Sequence, residues 1–377
     1  MSNAIKRRRY HDQPIVHMKK ITKICLTGGP CAGKTTALVK ILEHFTSLGY
    51  KVFTLPEIPT MMSTAGMNYL TDNANLFYEG EKATLKLQLE IEDHFTHMAE
   101  TCEKPVIIVC DRGTMDISAY MQPVMWQALM DETATNTVKL RDARYDAVLH
   151  LVSAANGAEE FYTTSNNQQR TEGIELAREL DKKVIAAWTG HPHLRVIGNT
   201  EKFDMKLHHV LSEISKVIGT PAPVESERKY IVEVTGEIPG YIESEITQTY
   251  LLADPGSEVR LRKRGWQGSY EYFQSARKQV SETEFIETER HITPHQYYML
   301  MQQVDPNRRP IKKIRKNFVW EGQYFELDTF IEPAIDLNIL EIESVSDESP
   351  IHFPPFLRVL EDITGNTAYY NYTLAKK

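Results

Sequence analysis

The sequence predicts an α/β domain with a parallel sheet, followed by an antiparallel β-barrel domain of the α+β type. The chain has 377 residues, more than one hydrophobic core usually organises. Its first half alternates short β-rich apolar runs with helical stretches, and its second half has regularly spaced short strands between turns. We therefore place one domain at residues 21–219 and another at 225–377, joined by a linker at 220–224.

The first domain shows apolar runs typical of strands and apolar residues at helical spacing. The predicted strands span 22–27, 51–55, 105–110, 146–152 and 194–197. The predicted helices span 34–48, 79–102, 118–130, 171–188 and 203–218. Because strands and helices alternate, we expect βαβ units and a parallel sheet. One glycine and two prolines between Gly219 and Pro223 predict the linker.

The second domain contains strands rich in Tyr, Ile, Val and Thr, with turns at 254–256 and 265–268. A helix is predicted near 294–303, between two of these strands. Short strands at regular spacing indicate an antiparallel barrel or sandwich.

Composition is typical of globular protein, with 25% charged and 41% hydrophobic residues. No apolar run approaches the roughly 20 residues that span a bilayer. The net charge of −8 argues against a nucleic-acid partner, which normally needs a clustered basic face. Four cysteines without a CxxC pair favour a reducing, cytoplasmic setting.

Residues 1–20 form a basic tail that we expect to be disordered and solvated. Contact of this tail with anionic lipid, and so a peripheral position at membranes, stays open, as does a role as a nuclear address.

The most specific motif fits GxxxxGK[ST], between a predicted strand and a predicted helix. It consists of Gly28, Gly29, Pro30, Cys31, Ala32, Gly33, Lys34 and Thr35, with Thr36 next in the helix. Glycines allow backbone N–H groups to turn toward phosphate oxygens. We expect Lys34 to reach the terminal phosphates of GTP or ATP, and the Thr35 hydroxyl to bind Mg²⁺ or Mn²⁺.

Further polar residues follow the predicted strands at the same edge of the sheet. Asp111 ends a buried strand, where a carboxylate can hold the magnesium shell. Arg112 could steady phosphate and Asp116 could orient a nucleophile, although the two could also pair with each other or cap the next helix. Glu57 either faces the site or is a loop acid in water.

Three arginines fall where kinase-like P-loop folds keep an arginine-bearing lid over the phosphates. They are Arg141, Arg144 and Arg170, and the alternative is that they are ordinary surface residues.

The GGPCAGKTT motif, together with Asp111-Arg112-Gly113, resembles the kinase-like, AAA-type branch of P-loop NTPases. In nucleoside and nucleotide kinases of that branch, a similar Asp-Arg pair follows the third strand. The sequence has no NKxD or TKxD box, so the choice between guanine and adenine stays open.

Charged residues alternate along several strands of the second domain, and alternate residues of a strand share a face. The rows are Glu225, Glu227 and Lys229; Arg260, Arg262 and Arg264; Lys313 and Arg315; Glu326 and Asp328; Glu341 and Glu343. If these rows point into a barrel, a polyphosphate with a divalent metal satisfies both signs of charge. The alternative is a solvated outer face with cross-strand ion pairs.

The ExExK sequence of Glu225, Glu227 and Lys229 resembles the signature of the CYTH superfamily, the triphosphate tunnel metalloenzymes. The resemblance covers roughly residues 225–375. It implies metal ligands at Glu225, Glu227, Glu341 and Glu343. It implies phosphate-binding bases at Lys229, Arg260, Arg262, Lys313 and Arg315, with a further base at Arg277 or Lys278.

The order of the two domains resembles the eukaryotic translocation-defect GTPases of TRPL channel trafficking. That resemblance implies GTP binding and an interaction with phosphatidic acid.

These patterns predict magnesium-dependent binding and hydrolysis of a nucleoside triphosphate, which the last resemblance implies is GTP. A tunnel in the second domain would bind or cleave a triphosphate, or bind an acidic phospholipid headgroup. The expected catalytic residues are Lys34, Asp111, Asp116 and Lys229. Two alternatives stay open: a small-molecule kinase fused to a triphosphatase, and a non-catalytic nucleotide and phospholipid sensor in membrane trafficking.

Overall fold

The structure consists of two units, which we call the first unit (residues 21–219) and the second unit (residues 227–377). It is a computed structural model that describes residues 21–162, 173–199, 203–219, 227–253, 257–279, 285–343 and 350–377. The basic tail, the predicted linker, Arg170 and Glu225 lie outside the described residues.

The first unit is built on a five-stranded parallel sheet. Its strands are β1 Ile21–Thr27, β2 Lys51–Leu55, β3 Val106–Asp111, β4 Ala147–Leu151 and β5 Leu194–Ile197. They lie in the order β2-β3-β1-β4-β5, and every neighbouring pair is parallel. All five predicted strands are present. The carboxyl ends of the strands therefore meet at one edge of the sheet, where α/β proteins bind ligands.

Helices cover both faces of this sheet. Within the described residues they are α1 Lys34–Ser47, α2 Ile58–Thr64, α3 Ala74–Glu100, α4 Pro123–Glu132, α5 Ile174–Trp188 and α6 Phe203–Ile218. A short helical turn, Val138–Asp142, leads into β4. Ile107 and Val109 pack into one hydrophobic core and Ile108 into the other, and all three are fully buried. Coverage on both faces explains why the strands read as continuous apolar runs.

Three helices of the first unit differ from the sequence prediction. Helix α4 begins at Pro123 and not at 118, because its first-turn proline is a start signal and a separate helical turn occupies Thr114–Ala119. The seven-residue α2 was not predicted, because it is too short to show a helical period, although its proline in the first turn is a usual start signal. Helix α3 begins at Ala74 and not at 79, because the Asn73 side chain accepts hydrogen bonds from the backbone N–H groups of Asn75 and Leu76, both at 3.1 Å.

The second unit is one nine-stranded sheet in which every pairing is antiparallel. Its strands are β6 Glu227–Val234, β7 Ile242–Leu251, β8 Ser257–Trp266, β9 Ser269–Gln279, β10 Phe285–Ile292, β11 Ile311–Trp320, β12 Gln323–Glu332, β13 Asn338–Glu343 and β14 Leu357–Asp362. The order is β10-β9-β8-β7-β11-β12-β13-β6-β14. The predicted helix is present as α7 Pro294–Leu300, and α8 Asn371–Leu374 lies near the C-terminus.

Over the described ranges of the second unit, the sheet curls around a cavity without closing into a hydrogen-bonded barrel. Residues of β6, β8, β10 and β13 line the same cavity, although these strands are far apart in the sheet order. Edge strands β10 and β14 do not pair with each other in the part of the chain that the structure describes. The fold is thus tunnel-like and open along one seam.

The two faces of the curled sheet differ in polarity. Arg260 and Arg262 line the cavity, whereas Leu261 between them is fully buried in a separate apolar cluster with Tyr272 and Tyr297 of the outer layer. The same alternation on β12 and β13 puts Leu327 and Leu340 into an outer apolar cluster. Because charged and apolar residues alternate along each strand, the sheet has a charged inner face and an apolar outer face.

The two units contact each other at the amino edge of the parallel sheet, opposite the edge that follows Thr27 and Asp111. An Arg264 Nη2–H donates to the carbonyl oxygen of Gly190, and the Tyr324 hydroxyl donates to the carbonyl oxygen of His191 at 3.4 Å. Both carbonyl groups lie between α5 and β5.

Among the helices of the described residues, none combines the length and the apolarity that crossing a membrane requires.

Replacement of Leu261 by Ala should destabilise the second unit by about 2–5 kcal/mol, because it leaves a cavity in the outer apolar cluster. The free energy of unfolding from urea titration measures this. Leu252→Ala is the matched control: Leu252 is 63% exposed, so its replacement should change stability by less than about 0.5 kcal/mol. Equal losses of stability at Leu261 and Leu252 would contradict the burial of Leu261 on the apolar outer face of β8.

Candidate functional site

The loop between β1 and α1 has the backbone geometry of a phosphate cradle. Gly28 has φ 144°, and a Cβ there would lie 2.1 Å from the carbonyl oxygen of Leu151. Gly33 has φ 89°, and a Cβ there would lie 2.6 Å from the ring of Phe203. Both positions therefore require glycine, and the loop delivers the N-terminus of α1 to the carboxyl edge of the sheet, where backbone N–H groups favour an anion.

A carboxylate behind the loop braces it. Asp181 Oδ1, on α5, accepts hydrogen bonds from the backbone N–H of Gly29 at 2.8 Å and from His150 Nε2 at 3.1 Å. Burial raises the pKa of Asp181, but the hydrogen bond and charge of His150 outweigh burial and lower it. This contact could not be predicted from sequence patterns, because 152 residues separate Asp181 from Gly29.

Lys34 and Asp111 occupy neighbouring positions at the carboxyl edge. Lys34 Nζ donates to the carbonyl oxygen of Gly28 at 3.2 Å, and burial, followed by the charge of Arg112, lowers the pKa of Lys34. Burial raises the pKa of Asp111, while the charge of Lys34 opposes that rise.

Asp111 and Thr35 fit a divalent cation. Asp111 Oδ1 is buried and has no hydrogen-bond partner among the described residues, although buried carboxylate oxygens are normally paired. Thr35, in the first turn of α1, is exposed and so has its hydroxyl in reach of a ligand. Hard oxygen donors of this kind suit Mg²⁺.

Arg112 stands between two acids. Its Nε–H donates to Glu57, and its Nη1–H donates to Asp116 Oδ1 at 3.2 Å. Glu57 also accepts a hydrogen bond from Thr60 at 2.6 Å. Burial raises the pKa of Glu57, but the charges of Arg112 and Lys34 outweigh burial and lower it to about 2. Glu57 thus faces the site as an ionised partner of Arg112.

Asp116 does not have the environment of a water-orienting residue. One carboxylate oxygen accepts hydrogen bonds from Thr27 and Arg112, and the other accepts them from the N–H of Gly113 at 2.9 Å and from Trp188 Nε1 at 3.1 Å. The side chain is 2% exposed. With all of its contacts inside the protein, Asp116 orients Arg112, as the pairing alternative allowed.

The lid prediction for Arg141 and Arg144 does not agree with the structure. Arg141 is buried, donating to Asp142 at 2.6 Å and to the carbonyl oxygen of Thr189 at 2.8 Å. Arg144 donates to Glu92 and to the carbonyl oxygen of Leu89. Both arginines precede β4, so they lie at the amino edge, away from the phosphate loop. Arg170 lies outside the described residues.

The second candidate site is a cavity of about 390 Å³ inside the curled sheet. In the part of the second unit that the structure describes, seven basic side chains line it: Lys229, Arg260, Arg262, Arg264, Arg277, Lys313 and Arg315. Five acidic side chains of the same described part line it: Glu227, Glu258, Glu289, Glu326 and Glu341. The predicted charged rows therefore point inward, apart from members that the structure does not describe.

Arg315 is the centre of a buried ion-pair network. Its guanidinium donates to both oxygens of Asp328, at 2.7 and 2.6 Å, and also to Glu326 and Glu341. Lys313 donates to Asp328, which is fully buried. A carboxylate removed from water at this depth is stable only when it is paired and hydrogen-bonded.

Lys229 links two acids near one end of the cavity. Its Nζ lies 2.8 Å from Glu341 Oε1 and 3.0 Å from Glu227 Oε2. Burial lowers the pKa of Lys229, but the charges of Glu227 and Glu341 outweigh burial and raise it. For Glu341, burial raises the pKa, and Lys229, Lys313 and Arg315 together bring it well below its ordinary value.

The described carboxylates do not by themselves form a metal site in the tunnel. Over the described ranges, no group of three or more His, Cys, Asp or Glu side chains is arranged as metal ligands. Of the four predicted ligands, Glu225 and the side chain of Glu343 lie outside the description. Both oxygens of Glu341 are taken by Lys229 and Arg315. Glu326, which belongs to a predicted charged row but was not among the predicted metal ligands, has a buried Oε1 that accepts no hydrogen bond within those ranges.

Glu289 was also missed by sequence analysis. It accepts a hydrogen bond from Ser275 at 2.6 Å and lies 3.3 Å from Arg262 Nη1. It also lies 3.5 Å from His193 Nε2, which belongs to the first unit. Alternation on β10 could have placed Glu289 inward, but the contact with His193 depends on the packing of the two units.

Glu57 predicts an acid dependence of stability. Because its pKa is lowered from 4.5 to about 2, the Glu57–Arg112 pair stabilises the protein above pH 4.5 and loses that effect as the pH falls toward 2. Unfolding free energies of Glu57→Gln should be about 1–3 kcal/mol lower than those of the parent at pH 6, with the gap narrowing in acid. Glu43→Gln, on the exposed face of α1, controls for loss of a surface carboxylate. If the difference in unfolding free energy between the parent and Glu57→Gln stays constant with pH, the result would contradict the Glu57–Arg112 pair.

Known proteins match parts of this chain. A family described as an AAA domain matches residues 23–204. Among curated proteins, none matches the chain.

Similar solved structures include the inorganic triphosphatase NE1496 (30% identity, 41% of this chain and 95% of that chain covered, TM-score 0.31). A structure of NE1496 described as a hypothetical protein has 28% identity, coverage of 40% and 97%, and TM-score 0.32. A protein from Pyrococcus horikoshii OT3 has 19% identity, coverage of 33% and 80%, and TM-score 0.26. With the cradle geometry above, the match over residues 23–204 identifies an AAA-like P-loop domain.

Proposed function

We propose that the first unit binds a nucleoside triphosphate together with Mg²⁺ and hydrolyses it, with GTP as the expected nucleotide. The observation that carries this proposal is the unpaired, buried Asp111 Oδ1 beside Lys34, at the mouth of the phosphate loop. The preference for GTP rests only on the resemblance of the two-domain order to translocation-defect GTPases.

Each side chain at this edge has a role in binding. The loop N–H groups and Lys34 would hold the phosphate oxygens, and Thr35 with Asp111 would hold Mg²⁺. The cation supplies charge neutralisation on the phosphate chain. Arg112, aligned by Glu57 and Asp116, points a fixed positive charge into the same space.

For the second unit, we infer binding of a triphosphate group in the tunnel, with its cleavage as the expected reaction. Among the described residues of the second unit, basic side chains outnumber acidic ones along the cavity wall, and several of these bases are paired with carboxylates. Phosphate oxygens can replace those carboxylates as partners of Arg and Lys, and Arg binds them two at a time. An acidic phospholipid headgroup presents the same oxygens, so it remains a candidate ligand.

A non-catalytic nucleotide sensor is the second candidate function of the first unit. It is favoured because both carboxylate oxygens of Asp116 already accept hydrogen bonds from the protein, so Asp116 has no free oxygen to orient a water molecule. Glu57, with its pKa lowered to about 2, is also a weak proton acceptor, which argues against the small-molecule kinase alternative. Phosphate release from GTP above background, or phosphorylation of an acceptor nucleoside, would count against the sensor.

Lys34→Ala should weaken nucleotide binding to the first unit by roughly 10- to 100-fold, because a charge-assisted hydrogen bond to phosphate is lost. Calorimetric titrations with GTP and with ATP, each with Mg²⁺, measure the loss and decide the base preference. Lys40→Ala, on the exposed face of α1, is the matched control. Unchanged affinity in Lys34→Ala would remove the phosphate-cradle assignment.

Arg262→Gln should weaken binding of inorganic triphosphate to the full chain by roughly tenfold, because a cavity-lining cation is lost. Arg290→Gln, at an exposed position of strand β10, controls for the change in net charge. The comparison is made in the Lys34→Ala background, so that both variants carry the same weakened first unit and differ only in the second unit. Equal affinity of the two variants would place triphosphate outside the tunnel.

A further inference from the structure

The turn between α5 and β5, residues 189–191, is held by side chains of the second unit, and we call it the linking turn. The carbonyl oxygen of Gly190 accepts a hydrogen bond from Arg264, and that of His191 accepts one from Tyr324 at 3.4 Å. Gly190 has φ 99°, and a Cβ there would lie 2.8 Å from an arginine guanidinium of the first unit. The linking turn is therefore a tightly packed contact between the two units.

Arg264, which holds this turn, is a buried base of the tunnel. Its side chain lines the cavity and is 2% exposed. Within the described residues no carboxylate forms an ion pair with Arg264, whereas Lys229 and Arg315 each pair with two or more. Its Nε is buried and has no hydrogen-bond partner there, and burial lowers the pKa of Arg264. An anion in the cavity would offset the cost of this poorly compensated charge.

Trp188, directly before the linking turn, reaches the nucleotide site. The backbone N–H of His191 donates to the Trp188 carbonyl oxygen at 3.0 Å, so the turn and Trp188 are bonded to each other. The fully buried indole donates through Nε1 to Asp116 at 3.1 Å, and Asp116 accepts from Arg112 Nη1 at 3.2 Å. Consecutive direct contacts therefore connect Arg264 with Arg112.

A phosphate in the tunnel would compete with the linking turn for Arg264. Hydrogen bonds from Arg to an ionised oxygen are roughly twice as strong as those to a neutral one, and Arg can bind two phosphate oxygens at a time. Arg264 would then leave the Gly190 carbonyl oxygen, and the turn would lose one of its two anchors in the second unit. Because closely packed interiors transmit strain, Trp188 would shift and Arg112 would be held less well.

We propose that Arg264 and Trp188 are positioning residues that couple the tunnel to the phosphate loop, and that triphosphate in the tunnel weakens nucleotide binding in the first unit. This inference rests on the proposed functions of both units. It adds their regulation: the first unit binds its nucleotide most tightly when the tunnel is empty.

The test measures the affinity of the full chain for GDP with Mg²⁺ by calorimetry, at increasing concentrations of diimidotriphosphate. This analogue of inorganic triphosphate has P–N–P bridges that resist cleavage. The dissociation constant of GDP should rise by roughly fivefold or more and then reach a plateau, because the effect ends once the tunnel is full. Direct competition at the phosphate loop would instead raise it without limit.

Two variants and a control locate the path. Trp188→Phe keeps a ring but removes the N–H that Asp116 accepts, so the analogue should change GDP affinity by less than about twofold. Arg264→Met should have the lowered GDP affinity of the plateau even without the analogue. Lys263→Met is the matched control and should keep the full effect, because Lys263 stacks on Tyr270 instead of lining the cavity.

Thermal unfolding of each variant identifies loss of folding. If Trp188→Phe does not fold, Tyr324→Phe, which removes the other anchor of the linking turn, carries the comparison and should also reduce the effect.

An unchanged GDP dissociation constant in the parent, a rise without a plateau, or an equal plateau in Trp188→Phe would overturn the inference. If both ligands bind and neither affects the other, the proposed functions stand and only the coupling fails. If the parent does not bind GDP, or Lys34→Ala does not bind the analogue, the proposed function of that unit fails together with this inference.

Discussion

The second unit depends on charge compensation in a closed space. Arg315 bonds three carboxylates, and Asp328, which is fully buried, accepts from both Arg315 and Lys313. Removing one partner of such a network leaves an uncompensated charge, which costs far more than an exposed ion pair contributes. The network therefore keeps the basic side chains aligned on the inner face, while the apolar outer face, with Leu261 and Leu327, holds the strands together.

The same principle arranges the first unit at a smaller scale. Asp116 is buried with four hydrogen bonds, and these join the end of β1, the N–H of Gly113, Arg112 and Trp188. Because both of its oxygens are satisfied, Arg112 has one defined position between Asp116 and Glu57. Asp111 Oδ1, only five residues earlier in the chain, lacks such partners within the described residues. Asp116 therefore organises the site, whereas Asp111 is suited to binding a ligand.

Local patterns were enough to predict the architecture. Continuous apolar runs predicted the parallel strands, the GxxxxGK[ST] motif predicted the loop between β1 and α1, and alternation predicted the inward rows of β8, β11 and β12. Residues whose roles depend on distant partners were not found: Asp181 braces Gly29, and Glu289 meets His193. Arg141 was misplaced because its position relative to α5, through the carbonyl oxygen of Thr189, cannot be read from spacing along the chain.

The contact between the units has a thermodynamic consequence. The cradle opens at one edge of the parallel sheet and the tunnel meets the opposite edge, so the two proposed ligands would not overlap. Any influence of one on the other has to pass through the body of the first unit. There Trp188 donates to Asp116, and the carbonyl oxygens of Gly190 and His191 accept from Arg264 and Tyr324. Linkage then requires reciprocity: if nucleotide alters affinity in the tunnel by some factor, the tunnel ligand alters nucleotide affinity by that same factor.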